Sequence, residues 1–378
     1  MKKTLWMLGA AVAALTSCTE SEVLDVPESK MIGFESFVDK PTRATNDVKN
    51  STINSFYVYG THGKKNGTFT REDGNGEFYL NGLKVYNGAN GWTYAHKPWL
   101  ANKTFRFAAY TDGVGAADPN SATAQNSNVS FIPNTTYDDT QASLEDTDIN
   151  DFFSDTEYLD KLNLWGLKFE DYEVGNNTKD LVVAVPFEQT IQELTTAPGL
   201  VNLTFKHMLA KVQFEFIHGD EDNTAYLEIE PFDVPVRDNA NLLVLFGTKN
   251  ENGNNVTDPV IKWTVGTEER VLEFFPQENS VNQTWNSGSI VQEFYVIPQA
   301  NDNINVDNIT LHSLDSEGNI THTYTISNFN LALGSQLKWL PGYLYRYYAT
   351  IQPNSHNIHF SVSVSDFIDP DYADQEIQ

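Results

Sequence analysis

Val201-Asn202-Leu203-Thr204-Phe205-Lys206-His207-Met208-Leu209-Ala210-Lys211-Val212-Gln213-Phe214-Glu215-Phe216 is two alternating runs with a break between them. In the first run Val201, Leu203 and Phe205 share a face by the period-2 rule, and in the second Val212, Phe214 and Phe216 fall on the opposite parity. One uninterrupted strand cannot present both sets to one core, so the pleat must be reset by a bulge or break near His207 to Ala210. The stretch therefore reads as strand on both sides of that reset. Helical periodicity is scarce elsewhere, and short alternating runs between Gly, Asn, Asp and Pro clusters recur throughout, which is the pattern of an all-β sandwich protein.

Upstream of this stretch, strands are predicted at Ile53 to Tyr59, Phe78 to Tyr86, Lys103 to Tyr110 with Phe105, Phe107 and Ala109 on one face, and Leu181 to Phe187. The Gly- and Asn-rich pieces Gly63 to Gly76 and Asn87 to Gly91 read as turns, and the small polar residues from Asp112 to Asn128 as a long surface loop. Downstream, strands are predicted at Leu242 to Phe246, Val260 to Val265, Val271 to Phe275, Phe294 to Ile297, Ile320 to Ile326 and Leu344 to Ile351. Gln189 to Gly199, ending in Thr195-Thr196-Ala197-Pro198-Gly199, is the best candidate linker, so sandwich domains are expected at 44–195 and 196–378.

The amino-terminal stretch has its own logic. Lys2 and Lys3 precede the apolar run Leu5 to Leu15, too short to span a bilayer comfortably, so residues 1–17 read as a secretion signal. Leu15-Thr16-Ser17-Cys18 resembles a bacterial lipobox, and Cys18, the only cysteine of the chain, is the expected acylated residue. One thiol excludes an intrachain disulfide, so stability must come from burial. Residues 18–43 are then a propeptide, in which Met31 to Val38 alternates with Ile32, Phe34 and Val38 on one face of a half-buried strand. It closes at Pro41-Thr42-Arg43-Ala44-Thr45, where a protease cutting between Arg43 and Ala44 would remove that strand.

With 51 acids against 24 basic residues the formal charge is −27, and it becomes more negative once Lys2 and Lys3 leave. Such a surface repels phosphate backbones and anionic headgroups, so no nucleic-acid partner is expected. Thr19-Glu20-Ser21-Glu22 after the cysteine is similar to the export signal of surface lipoproteins of Bacteroidetes, which implies attachment to the outer membrane through the lipid, facing outward. The last predicted strand is Ile358 to Val364, with Ile358, Phe360, Val362 and Val364 on one face, and the tail beyond it is acidic without apolar alternation.

Other constellations carry less chemistry. Asp146 to Glu157 fits a calcium loop at positions 1, 3, 5, 9 and 12, but Asp151 stands where the sharp turn needs Gly, so no metal is expected there. His356 and His359 fall on opposite faces of a strand, and His207 reads as a hydrogen-bonded structural histidine. No HExxH, GxSxG or P-loop pattern occurs, so neither catalytic residues nor a cofactor is expected. Trp92, Tyr94, Trp99 and Trp165 read mostly as core, and alternatively as a platform for stacking sugars.

Several landmarks follow one another in an order that resembles the fimbrillin family, the Mfa-like type V pilus subunits of Bacteroidales. They are the lipobox with its early acids, Thr42-Arg43-Ala44, Phe205 to Val212, Val296-Ile297-Pro298-Gln299, and Trp339-Leu340-Pro341-Gly342-Tyr343 through Tyr347-Tyr348. The resemblance implies two tandem transthyretin-like β-sandwich domains and export by lipoprotein-processing enzymes. It also implies trimming by an Arg-specific protease and polymerisation with other pilus subunits by strand exchange. On this reading Cys18 carries the lipid, Arg43 is the cleavage position, Ile32, Phe34 and Val38 mark the removable strand, and Ile358 to Val364 is the candidate donor strand. The alternative is a monomeric surface lipoprotein that binds glycans.

Overall fold

The computed structural model describes residues 31–38, 53–64, 79–88, 91–112, 128–135, 164–175, 178–191, 200–220, 225–247, 260–277, 281–300, 304–331 and 338–366. Cys18, Arg43, Ala44 and the acidic stretch Asp146 to Glu157 lie outside the described residues. Among the described residues there is no helix. The first strands are β1 (Gly33–Val38), β2 (Ser55–Lys64), β3 (Leu80–Gly88), β4 (Gly91–Thr93), β5 (Lys103–Thr111), β6 (Val129–Thr135), β7 (Leu164–Glu173), β8 (Val182–Ile191) and β9 (Leu200–His207). They are followed by β10 (Ala210–His218), β11 (Tyr226–Ile229), β12 (Phe232–Arg237), β13 (Asn239–Gly247), β14 (Val260–Val265), β15 (Glu269–Phe274), β16 (Gln283–Trp285) and β17 (Ser289–Val296). The last are β18 (Gln299–Ala300), β19 (Asn305–Leu314), β20 (Ile320–Asn330), β21 (Lys338–Trp339), β22 (Tyr343–Gln352) and β23 (Asn357–Asp366).

A seven-stranded sheet in the order β1-β9-β8-β5-β2-β3-β4 dominates the first half. Its middle strand β5 is buried on both faces, as an unbroken apolar run such as Phe107-Ala108-Ala109-Tyr110 requires. One face carries Phe56, Val58, Phe105, Phe107, Val182 and Phe205 into a core shared with Ile32, Phe34 and Trp99. Tyr57, Tyr59, Ala108, Tyr110 and Val183 point the other way, onto Phe131, Trp165, Leu167 and Phe169 of the sheet β14-β13-β7-β6.

The break at residues 207–210 is where the chain changes sheet. β9 ends at His207, Met208 and Leu209 are completely buried, and β10 starts a second sheet, β17-β10-β22-β23. That sheet shares a core with β16-β11-β19-β20, in which Phe214 stacks on Tyr347 with centroids 5.1 Å apart and Leu227 and Leu311 are fully buried. The two-stranded ribbons β12-β15 and β18-β21 complete the second half, the first placing Phe232 and Phe274 against Phe214.

The sheets do not divide where a boundary at residues 195 and 196 was expected. β8 and β9, on either side of it, are hydrogen-bonded neighbours from Val182 opposite His207 to Val185 opposite Thr204. β13 also crosses back to pair with β7, and β14 pairs with the other side of β13.

Gly166 shows how closely the returning strand fits. It sits in β7 between Ile132 and Leu245, and a Cβ added there would lie 1.8 Å from the backbone oxygen of Val244. Since the obstruction is backbone, Gly166→Ala is expected to cost about 2–3 kcal/mol, read as a lowered urea midpoint.

Candidate functional site: the groove of the first strand and the fate of the last

β1 is an edge strand paired along one side and clasped at its start. On one side it runs parallel to β9, from Gly33 opposite Leu200 to Val38 opposite Phe205. Across its other side passes the segment from Tyr94 to Trp99. The Ile32 amide donates to the Lys97 carbonyl at 2.8 Å, the Tyr94 hydroxyl donates to the Ile32 carbonyl at 2.6 Å, and Met31 forms an antiparallel bridge with Pro98. The clasp satisfies backbone groups that an edge otherwise leaves to water.

Ile32 and Phe34 point from β1 into the sheet's core and are 1% and 4% exposed. The Phe34 ring meets Tyr94 edge-on at 5.2 Å and Phe107 at 5.9 Å. Trp99 forms the floor beside them, edge-on to Phe105 at 4.9 Å and to Phe107 at 5.9 Å. The clasp is itself anchored: the Tyr79 hydroxyl donates to the Pro98 carbonyl at 2.5 Å, and Lys97 Nζ lies 5.8 Å from the Tyr79 ring centroid. Burial pushes the Tyr79 phenol up to about 12. It also raises the Tyr94 phenol, while a hydrogen bond with the Phe34 backbone works the other way.

Two of the four aromatic residues that could form a platform are closed off. Trp99 and Trp165 are 1% and 3% exposed, so neither offers a face to a sugar, and Trp92 packs edge-on against Phe56 at 5.0 Å. The clasp was missed as a functional element; the alternation of Trp92 and Tyr94 was its visible signal, but the partner of Tyr94 is 62 residues away.

The candidate donor strand lies in the chain's own second half. β23 is antiparallel to β22 over its whole length, from Asn357 opposite Gln352 to Asp366 opposite Tyr343. Phe360 meets Phe329 of β20 edge-on at 4.3 Å, Val362 is buried, and Ile358 and Val364 pack on the same core. Donating these residues would strip that edge of the sheet. His356 stacks on His322 at 4.3 Å, while His359 faces Thr350 across the hairpin. Among the described residues no three His, Cys, Asp or Glu gather as metal ligands.

Buried polar pairs brace neighbouring strands. His207 Nδ1 lies 2.7 Å from Asp180 Oδ2, with both side chains enclosed at the change of sheet. Arg106 is 2.8 Å from Glu188 and lies 4.3 Å from the Trp165 ring centroid, and Lys211 Nζ is 3.0 Å from Glu293 and 5.0 Å from the Tyr295 ring. The cost of taking such pairs out of water offsets much of their attraction.

Two measurements test this geometry in the uncut chain. Phe34→Ala should lower stability by about 3 kcal/mol, and Tyr94→Phe, which removes only the hydroxyl, by about 1 kcal/mol. The tyrosines set an alkaline limit. A phenol that titrates near 10 when unfolded and at about 12 when folded, as at Tyr79 and Tyr345, contributes stability below about pH 10 that is lost as pH rises towards 12. Unfolding midpoints should therefore fall between pH 9 and pH 11.

A profile of the family described as fimbrillin-like matches residues 168–366. Among solved structures the chain is similar to a fimbrial protein from Bacteroides vulgatus, at 12% identity and a TM-score of 0.45, covering 89% of this chain and 99% of that one. It is also similar to a fimbrial assembly protein from Parabacteroides distasonis, at 11% identity and a TM-score of 0.36, covering 89% and 98%. No curated protein matches it.

Proposed function

The chain belongs to the fimbrillin-like family, and from that premise we propose that it is a subunit of a surface fimbria that receives a strand from a neighbouring subunit. Its export begins with acylation of Cys18, which fixes it to the outer membrane facing outward. Cleavage between Arg43 and Ala44 then detaches β1, and the strand of another subunit takes its place. The role is structural and adhesive, without a catalytic step.

The observation that carries this reading is β1 itself. It lies just ahead of Arg43 in the chain, is paired in parallel to β9, and buries Ile32 and Phe34. Burying two such side chains is worth about 3–6 kcal/mol by transfer, so the strand does not leave while it is tethered. Cutting the tether makes its return bimolecular, and a strand held close by another subunit gains the advantage of effective concentration. An emptied groove exposes the amides and carbonyls of β9 with an apolar floor, which favours strand addition. A contact made in this way is heterologous and does not close, so it builds a fibre.

β23 gives the subunit its place in that fibre. Because it is committed to β22, it is not free to enter a neighbour's groove, and the subunit accepts a strand without giving this one. That is the position of a tip or accessory subunit. The burial of Trp99 and Trp165 takes two of its four aromatic residues from the glycan-binding alternative.

Arg43→Ala should leave a folded, lipidated monomer that does not enter fibres, whereas Lys40→Ala should assemble normally. Immunoblots for multimers resistant to detergent and electron microscopy of the cell surface read the outcome, and assembly of the Arg43→Ala protein with β1 still attached would sink the mechanism. Cys18→Ala should abolish labelling by a fatty-acid analogue and leave the precursor unprocessed; unchanged labelling would remove the anchor from the scheme.

A further inference from the structure

The groove that β1 occupies reads an entering strand at three successive positions, and it reads them in two ways. The clasp recognises backbone: the Lys97 carbonyl takes the amide of residue 32 and the Tyr94 hydroxyl gives to its carbonyl, contacts that any extended strand can make. The walls recognise side chains. Ile32, at 1% exposure, fills the end of the groove nearest the clasp, and the Phe34 ring sits between Tyr94 and Phe107. Between these anchors Gly33 faces the other way, under Leu200, and an added Cβ would lie 2.3 Å from Leu200 Cδ2. Leu200 is 53% exposed, so it can swing aside for a methyl group, but a large side chain must displace it altogether.

We propose that the groove selects strands with a branched apolar residue, a glycine or similarly small residue, and an aromatic residue in succession, supplied by a subunit other than a second copy of this chain. The proposal rests on the reading that β1 is removed and replaced. This chain's terminal strand has the anchors at the right spacing in Ile358 and Phe360, but it brings His359 under Leu200. All its residues from Asn357 to Asp366 are also already paired with β22. Spacing alone would let copies of this chain polymerise with one another, and the middle position works against that outcome.

The test uses the full chain with a sequence-specific protease site in place of residues 41–46, cut and freed of its amino-terminal piece. Fluorescent peptides of residues 29–40 and 356–366 are titrated by anisotropy. The native 29–40 peptide should bind, its Phe34→Ala version about 100-fold more weakly, and its Gly33→His version about 10-fold more weakly. The 356–366 peptide should bind no better than the Gly33→His peptide. Tyr94→Phe in the protein should weaken every peptide about 5-fold regardless of sequence, because it removes a contact to backbone. Equal binding of the native and substituted peptides overturns the selectivity and leaves strand replacement standing. Tight binding of the 356–366 peptide overturns the exclusion of a second copy. Failure of every peptide to bind overturns the replacement reading itself. If the cut protein aggregates, hydrogen exchange in the uncut chain decides: Gly33→His and Phe34→Ala must speed exchange across residues 200–207, and unchanged exchange overturns the proposal.

Discussion

Everything in this fold depends on satisfying the backbone of two buried residues where the chain leaves one sheet for another. Met208 and Leu209 have no strand neighbours of their own, so their amides and carbonyls need partners from elsewhere. The Met208 amide donates to the Leu181 carbonyl at 2.8 Å, and its carbonyl accepts from the Trp263 indole at 2.9 Å. The Leu209 carbonyl accepts from the amide of Gly342 at 2.8 Å, and Gly342 has a φ of +80°, a conformation that glycine adopts without strain. Three distant segments are thereby fixed to one crossing. Trp263 belongs to β14, which explains why that strand returns to the first half, and Gly342 sets the start of β22 beside β10.

The family landmarks gain a physical meaning from this crossing. Phe205 to Val212 supplies it, and the Trp339-to-Tyr348 landmark closes over it. Gln299 pairs with Trp339, the Tyr345 hydroxyl accepts from the Leu340 amide at 2.8 Å, and the Tyr347 hydroxyl donates to the Leu331 carbonyl at 3.0 Å. Short motifs scattered along a chain can share a role when they form one joint, and here the joint is polar at its centre and apolar around it.

What could be read from sequence was whatever repeats with a period of two. The pleat reversal near His207, the Phe105, Phe107 and Ala109 face of β5, and the strands β22 and β23 were legible because burial imposes their pattern locally. Several strands were not, among them β4, β6, β11, β16, β18 and β21, and three others show why. In β7 the alternation of Trp165, Leu167 and Phe169 is broken at Asp171, whose φ is +47°, so Tyr172 returns to the core out of phase. β12 contains Pro235, a residue that argues against a strand and is tolerated because β12 pairs with β15 in a two-stranded ribbon. β19 changes its buried parity between Val306 and Ile309. The clasp and the division of the sheets were hidden for another reason: both depend on which distant strands pair, which no local pattern encodes.

The parallel ladder of β1 has a mechanical consequence. Six register pairs line it against β9, all along the axis of the strand, and the clasp grips the end at Met31 and Ile32. A pull along that axis loads these bonds together, as in a sheared joint, whereas a pull across it peels them apart one after another. A strand seated the same way would tie two subunits most firmly against tension in line with the groove, and it would be weakest against leverage from the side.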